Sequence, residues 1–369
     1  MRRRLRVGVI FGGRSGEHDV SLRSAQAVMH ALEDGGFTVV PIGVTREGQW
    51  LRGGDPLAQL AAQSHLPLAA TANVTANGHG AVVPARQEPL SLESAQEALS
   101  GEIDVLFPVL HGPQGEDGTV QGFLELSDIP YVGSGVLASS LGMDKIVSRQ
   151  LFAQVGLPLA RWTWLLRRDW RRDPDAVAAR IEREIGFPCF TKPANLGSSV
   201  GISKVHHAGE LAAALDDAAH WDRKIIVEEG LDARELEVSV LGNDDPVCSV
   251  VGEIVPANEF YDYDAKYVDE DSQLLIPAPI PVELADELRA MAVRAFKALD
   301  GAGLARVDFF LERPSGRLYL NELNTIPGFT ATSMYPRLWE ASGLPFPELV
   351  TRLVELAVER YGEHGPVQG

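Results

Sequence analysis

The sequence predicts an α/β protein that opens on a parallel sheet, and three observations carry this. Residues 5–11 form a compact apolar run ending in Gly12-Gly13-Arg14-Ser15-Gly16-Glu17, and residues 20–32 then show helical spacing: strand, glycine turn, helix. A second strand-like run, 37–44, follows closely. A third, 103–110, stops at His111-Gly112. Strands separated in this way pair in parallel, with ligands gathered at their carboxyl ends.

The remaining elements follow in order. Residues 51–100 are rich in Ala, Gln, Asn and Gly with weak periodicity, and read as a peripheral insertion. Residues 135–155 have a helical pattern, 187–192 and 200–205 read as strands around a glycine loop, 211–220 as a helix and 224–228 as a strand. The segment 253–279 is acidic, aromatic and proline-bounded with no clear period, a composition that long lids often have. An amphipathic helix over 284–299 precedes a hairpin, and a helix over 347–361 closes the pattern.

That hairpin, 306–328, is the most informative stretch. Glu312-Arg313-Pro314-Ser315-Gly316-Arg317 has a Pro-Ser-Gly core that reads as a turn. Alternation sends Arg306, Asp308 and Phe310 to one face and Val307, Phe309 and Leu311 to the other, while Leu318, Leu320, Glu322 and Asn324 share a parity. Pairing Glu312 with Leu318 across the loop 313–317 sets Asp308 opposite Glu322 and Arg306 opposite Asn324. Opposed Cβ atoms lie roughly 4.5–5.5 Å apart, close enough to share one or two cations. Magnesium usually takes one or two protein carboxylates and completes its shell with water and substrate phosphates. Taken alone, the triplet Asp308, Glu322 and Asn324 fits a solvated strand face equally well.

Composition sets the limits. The chain has 369 residues, enough for two or three domains, with 45% hydrophobic and 23% charged residues, which is globular rather than disordered. A net charge of -18 argues against a nucleic-acid or membrane partner, so any phosphate site must be built locally. Six lysines, Lys145, Lys192, Lys204, Lys224, Lys266 and Lys297, stand against twenty-seven arginines, a hint that a compact point charge is wanted at some of them, although composition bias alone explains most of the imbalance. The two cysteines, Cys189 and Cys248, are far apart in apolar runs, which suits a reducing compartment. The basic start, Met1-Arg2-Arg3-Arg4, lacks the pattern of a signal peptide, and no run approaches the ~18 apolar residues of a membrane span, so a cytoplasmic location is expected.

Four further motifs carry chemistry. Lys192-Pro193-Ala194-Asn195-Leu196-Gly197-Ser198-Ser199-Val200-Gly201 places a lysine at a strand end before a turn whose N–H groups could surround phosphate oxygens; a tight hairpin turn is the plainer reading. Glu228-Glu229-Gly230-Leu231 ends a strand and Glu235 follows, a pattern that suits an adenine edge and ribose hydroxyls or a solvated acidic turn. Tyr261-Asp262-Tyr263-Asp264-Ala265-Lys266-Tyr267 sets an ammonium beside a phenol, although most such runs are solvated loop. His111-Gly112-Pro113-Gln114-Gly115-Glu116-Asp117-Gly118 has the glycine density of a binding loop, although a lone loop histidine is more often structural than catalytic.

Jointly and in this order, the segments 12–17, 111–118, 143–145, 192–201, 263–267, 306–308 and 321–328 resemble the ATP-grasp superfamily and, within it, the D-alanine:D-alanine ligase family. The resemblance implies an ATP-grasp fold of three α/β domains: a Rossmann-like N-terminal domain over 1–133, a central domain over 134–228 and a C-terminal domain over 229–369. ATP would lie between the last two. The implied reaction joins two D-alanines through a D-alanyl phosphate, releasing ADP and phosphate, for peptidoglycan precursors. Two Mg2+ or Mn2+ ions are the implied cofactors, held by Asp308, Glu322 and Asn324. A homodimer is left open.

The resemblance also assigns roles by position. Lys145 and Lys192 look like phosphate lysines, Glu228 and Leu231 like adenine contacts, Glu235 like the ribose carboxylate, and Lys266 like a γ-phosphate contact. Glu17 matches the residue that holds the first D-alanine's ammonium, with Ser198 and Tyr267 its partners in a lid-closing network. In the resembling family a tyrosine at the position of Tyr267 accompanies an amine acceptor. Ser333 and the Met334 backbone are similar to the second substrate's carboxylate site, and His111 belongs to the substrate set. Arg306 and the Gly328 N–H are candidates to steady the reacting carboxyl. The chain departs from its relatives at His18 and Asn195-Leu196, where they can carry Arg or Glu.

Overall fold

The computed structural model describes residues 4–64, 99, 103–197, 199–255 and 273–363. Ser198, Lys266, Tyr267 and most of the 51–100 insertion lie outside the described residues. Within that insertion a short strand to Arg52 and the helix Pro56–Gln63 are described.

The described strands form three sheets. The first contains β1 (Arg6–Gly12), β2 (Thr38–Val44), β3 (Trp50–Arg52) and β4 (Val105–Pro108) in the order β3-β2-β1-β4. β1 pairs in parallel with β2 and β4, as its apolar, helix-connected strands predict, and β3 is an antiparallel edge. One face packs Val7, Val9 and Phe11 against Leu22, Ala25 and Val28 of the helix His18–Asp34. Leu349, Val350 and Leu353 of the last helix, Phe346–Glu363, enter that same core, so the end of the chain returns to its beginning.

The second sheet is antiparallel, with β5 (Trp162–Leu166), β6 (Cys189–Pro193), β7 (Ser203–Val205) and β8 (Lys224–Glu229) in the order β5-β8-β6-β7. Two expectations are corrected here. The strand expected over 200–205 begins only at Ser203, because Ser199 and Gly201 take positive φ and prolong the turn. The helix expected over 135–155 is two, Val136–Met143 and Lys145–Gln154, broken at Asp144. The Asp144 carboxylate accepts bonds from Ile146 N (3.1 Å) and Val147 N (3.2 Å), a cap hidden by apolar spacing that continues across it.

The third sheet is antiparallel, with β9 (Ala233–Gly242), β10 (Val247–Val255), β11 (Gln273–Leu275), β12 (Gly303–Glu312) and β13 (Leu318–Asn324) in the order β11-β10-β9-β12-β13. The segment 253–279 is therefore not irregular at its ends: Glu253, Ile254 and Val255 pair with Leu275, Leu274 and Gln273.

The hairpin also needs correction. Leu311, not Glu312, pairs with Leu318, so the loop is one residue longer than expected. A register shift between Asp308 and Phe309 then restores Asp308 opposite Glu322 and Arg306 opposite Asn324. The extra residue reverses parity along β13. Leu318, Leu320 and Leu323 enter the core with Val307, Phe309 and Leu311, while Glu322 and Asn324 turn to the face of Arg306 and Asp308. Without it, the parity read from sequence would send Glu322 and Asn324 into the core beside Leu318 and Leu320.

Candidate active site

A cavity of about 690 Å³ lies where the three sheets approach one another. It gathers Glu17 and His111 from the first sheet's loops, Lys145 from the helix after Asp144, and Arg306, Glu322 and Asn324 from the hairpin. Gly328, Ser333 and Met334 line the same space. Asp308, Lys192, Glu228, Leu231 and Glu235 are outside this lining, on or beside the strands of the second and third sheets.

Glu17 follows the glycine turn of β1. Gly12 has φ of +92°, and a Cβ there would meet the Val44 carbonyl at 2.2 Å, so the turn admits only glycine. Gly112 has φ of +75°, and a Cβ on it would lie 2.5 Å from Glu17 Oε2. The carboxylate therefore sits directly over the 111–118 loop. His18 stabilises this turn, since its Nδ1–H donates to the Gly13 carbonyl (2.7 Å). Asn195 likewise acts locally, with its N–H and Nδ2 both donating to Asp222 Oδ2.

His111 is held by protein on both ring nitrogens. Nδ1 is 3.1 Å from the Ile326 carbonyl, which only a protonated Nδ1 can satisfy, and Nε2 then accepts from Ser24 Oγ at 3.2 Å. Ser24 Oγ in turn accepts from Phe329 N–H (3.4 Å). Burial pushes the His111 pKa down, against an upward pull from the Glu17 charge, which keeps the neutral tautomer this pattern requires. His111 and Ser24 thus brace Ile326 and Phe329 on either side of Gly328. Sequence reading missed Ser24, which looks like an ordinary small residue on an apolar helix face.

Glu116 was also missed as a site residue. It accepts from Gly112 N–H (2.8 Å) and lies beside Glu17, and burial followed by the Glu17 charge pushes its pKa up to about 8.

The hairpin places a guanidinium among carboxylates. Arg306 Nε and Nη2 donate to the two oxygens of Asp308, each at 2.7 Å, and Arg306 Nε lies 3.0 Å from Glu237 Oε2 on β9. Burial alone would lower the Arg306 pKa; Asp308, Glu237 and Glu322 outweigh it and hold it well above the ordinary value. Asn324 Nδ2 donates to Asp308 Oδ2 (3.0 Å), and Lys145 Nζ is 3.6 Å from Glu322 Oε2.

The donor set Asp308, Glu322 and Asn324 is all oxygen, which suits a hard cation. Among the described residues, no group of three or more His, Cys, Asp or Glu side chains could hold a metal. Two carboxylates and an amide fit an ion that shares its shell with phosphate oxygens, not a closed protein cage.

The second sheet holds a different cluster. Lys192 Nζ donates to Glu228 Oε2 (2.8 Å), and Arg149 Nη2 lies 2.7 Å from Glu228 Oε1. Burial would raise the Glu228 pKa, but Arg149 and Lys192 overcome it and the net shift is downward. The Glu228 carboxylate is thus occupied by protein cations, and within the sheet Glu228 is paired on both sides, opposite Trp162 and Phe190. Lys145 Nζ donates to the Leu196 carbonyl (2.7 Å), which ties the helix start to the glycine loop.

Ser333 precedes the helix Met334–Ala341, and its Oγ accepts from Thr330 N–H (3.1 Å). A Cβ on Gly328 would lie 3.3 Å from that Oγ, so the Gly328 turn and this helix start form one wall. N–H groups at such a start favour a carboxylate.

Comparison with known proteins agrees with this geometry. Residues 6–134 match the family model for the D-ala D-ala ligase N-terminus, and residues 151–355 match that for its C-terminus. The chain belongs to the D-ala D-ala ligase family. The D-alanine–D-alanine ligase of Geobacillus kaustophilus is 52% identical over 361 residues, covering 97% of this chain and 96% of that protein. The enzyme of that name from Heliobacterium modesticaldum is 51% identical, covering 97% and 95%. Among solved structures, the VanG D-Ala:D-Ser ligase from Enterococcus faecalis superposes with a TM-score of 0.80 at 34% identity, covering 96% of this chain and all of that one. The D-alanine-D-alanine ligase from Coxiella burnetii gives a TM-score of 0.79 at 31% identity, covering 98% and 96%. This family has the ATP-grasp fold, and the three sheets described above are its layers in this chain. Among the described residues no helix is long and apolar enough to cross a membrane.

Proposed function

We propose that this chain joins two D-alanines into D-alanyl-D-alanine at the expense of ATP, supplying peptidoglycan precursors. The observation that carries the reading is one cavity in which Glu17, Lys145, Arg306, Gly328 and Ser333 converge, in a chain about half identical to D-alanine–D-alanine ligases over nearly its whole length.

Glu17 receives the ammonium of the first D-alanine, and that substrate's carboxylate oxygen attacks the γ-phosphorus of ATP. The bond to the β,γ-bridging oxygen breaks, ADP leaves and a D-alanyl phosphate forms. The amine of the second D-alanine, its ammonium proton passed to water, attacks the acyl carbon. The carbon–oxygen bond to phosphate then breaks and the dipeptide is complete. Arg306 and the Gly328 N–H stabilise the charge that grows on the reacting carboxyl oxygen, and they are held before substrate arrives. Ser333 and the Met334 N–H hold the second carboxylate. Lys145 and Lys192 bind the phosphates, Glu235 the ribose, and Glu228 and Leu231 keep the adenine role that the resemblance implies. Ser198, Lys266 and Tyr267 keep the lid and γ-phosphate roles that the resemblance implies.

Asp308, Glu322 and Asn324 would hold two Mg2+ or Mn2+ ions, which when bound offset phosphate charge. The segments 1–133, 134–228 and 229–369 are read as the three domains. A cytoplasmic location completes the reading, consistent with two free cysteines.

A coupled assay of ADP release, run with D- and L-amino acids and D-hydroxy acids as acceptors, tests this. D-Alanine should release ADP and phosphate and yield the dipeptide. Absence of D-alanine-dependent release refutes the reading, and a preference for D-serine or D-lactate would revise its acceptor.

A further inference from the structure

The buried ion cluster of the second sheet contains a cation that the reaction above does not use. Arg149 lies one turn after Lys145 on the helix Lys145–Gln154, so the two side chains share a helix face. That helix is anchored against the second sheet at its first residue, since Lys145 N–H donates to the Ala194 carbonyl (3.0 Å) and Ile146 packs with Ala194 and Ile226. The face carrying Arg149 is thereby turned toward β6 and β8. Its side chain is 3% exposed, and Nη2 meets Glu228 Oε1 at 2.7 Å while Lys192 Nζ meets Oε2 at 2.8 Å. One carboxylate is therefore shared by two cations. The other amino nitrogen of Arg149, Nη1, is buried with no acceptor among the described residues, so no second protein anion consumes its charge.

The arrangement has a consequence for Lys192. With Glu228 as its sole companion, Lys192 would belong to a neutral buried pair and would offer little field to an incoming phosphate. With Arg149 on the opposite oxygen, the cluster keeps one net positive charge in a place that water screens poorly. We infer that Arg149 is a positioning residue for nucleotide binding: it neutralises Glu228, and so leaves the Lys192 charge available to the polyphosphate of ATP. The inference rests on the nucleotide side of the proposed function and names a residue that the motif reading passed over. It gives Glu228 a second role, that of an adjustable counter-charge whose grip on Lys192 is set by Arg149.

The test uses the full chain, with ADP binding followed by titration calorimetry and D-alanine-dependent ADP release followed in parallel. Arg149→Met leaves Lys192 and Glu228 as a neutral pair and should weaken ADP binding on the order of tenfold, raising the KM for ATP with the KM for D-alanine unchanged. Arg149→Lys keeps the charge and should stay within about threefold of wild type. The decisive variant is Arg149→Met/Glu228→Gln, which returns one net positive charge through Lys192 alone and should recover most of the ADP affinity. If Arg149→Met binds ADP as wild type does, the inference is overturned. It is also overturned if the double variant is folded but binds no better than Arg149→Met, because Arg149 would then serve packing alone. Should wild type bind ADP yet release no phosphate with D-alanine, the proposed reaction fails while the calorimetric comparison still judges Arg149.

Discussion

Two buried ion clusters among the described residues are built with opposite balance. On the second sheet, two cations, Lys192 and Arg149, share one carboxylate, Glu228. On the third, one guanidinium, Arg306, lies among Asp308, Glu237 and Glu322. Each would be costly in isolation, since buried charges are tolerated only when paired with good geometry. The residual charge of each cluster is its use: the first suits phosphate, and the second suits cations brought with phosphate. Lys145, 3.6 Å from Glu322 and bonded to the glycine loop near Lys192, stands between them.

The comparison breaks most visibly on the acidic side. Asp308→Ala or Glu322→Ala should lower D-alanine-dependent phosphate release by at least roughly 100- to 1,000-fold, the range for losing a preorganised electrostatic group. Both should also weaken Mn2+ binding followed by its electron paramagnetic resonance signal. Wild-type turnover in either variant would sink the metal assignment.

Next in size is the loss of a shared partner. Arg306→Met leaves Asp308 and Glu237 facing each other, and Glu228→Gln leaves Lys192 and Arg149 facing each other; each should cost about 3–5 kcal/mol of stability in urea unfolding. The two variants should differ in rescue. ADP should raise the Tm of Glu228→Gln by more than it raises that of wild type, and that of Arg306→Met by no more. Equal shifts would show that the clusters do not differ in sign.

The remaining effects concern pH. Glu116 ionises near 4.5 in an unfolded chain but at about 8 when folded, because of burial and then the Glu17 charge. Between those values the folded state keeps a proton that the unfolded state has lost, so this group makes stability fall as pH rises from 4.5 to 8. Glu116→Gln should remove that slope, seen as a Tm advantage that grows toward pH 8; parallel Tm profiles would contradict it. His111 works with the opposite sign. Its pKa is lowered from 6.5 by burial, so the unfolded chain takes up the proton first and stability declines as pH falls below that value. His111→Gln should flatten the acid limb alone.

The candidate site was legible in the joint order of short motifs. The oxygen donors of the hairpin and the lysine before the glycine loop each allow a plain structural reading alone, and only their order after the glycine turn before Glu17 carries the family resemblance. Ser24, Arg149 and Glu116 were not legible, since each acts on a partner from another segment: Ser24 on Phe329, Arg149 on Glu228 and Glu116 on Glu17. No local pattern carries that information. The strands β9 and β10 were missed for a related reason. Glu235 and Glu237 interrupt the apolar signal because they share the face of Arg306 and Asp308, while Glu253, opposite Leu236 on the other face, is paired with Arg234.

The hairpin shows where the division falls. Residue identity alone determined that Asp308, Glu322 and Asn324 would be offered together with Arg306, and alternation along β12 determined which of its side chains share a face. Packing within the folded sheet sets Leu311 opposite Leu318 and admits one extra residue before Glu322. The physical reason is the core. Leu318, Leu320 and Leu323 must all be buried, and a regular strand cannot point residues 320 and 323 the same way, so the sheet takes up a bulge and delivers Glu322 and Asn324 to the site as a result.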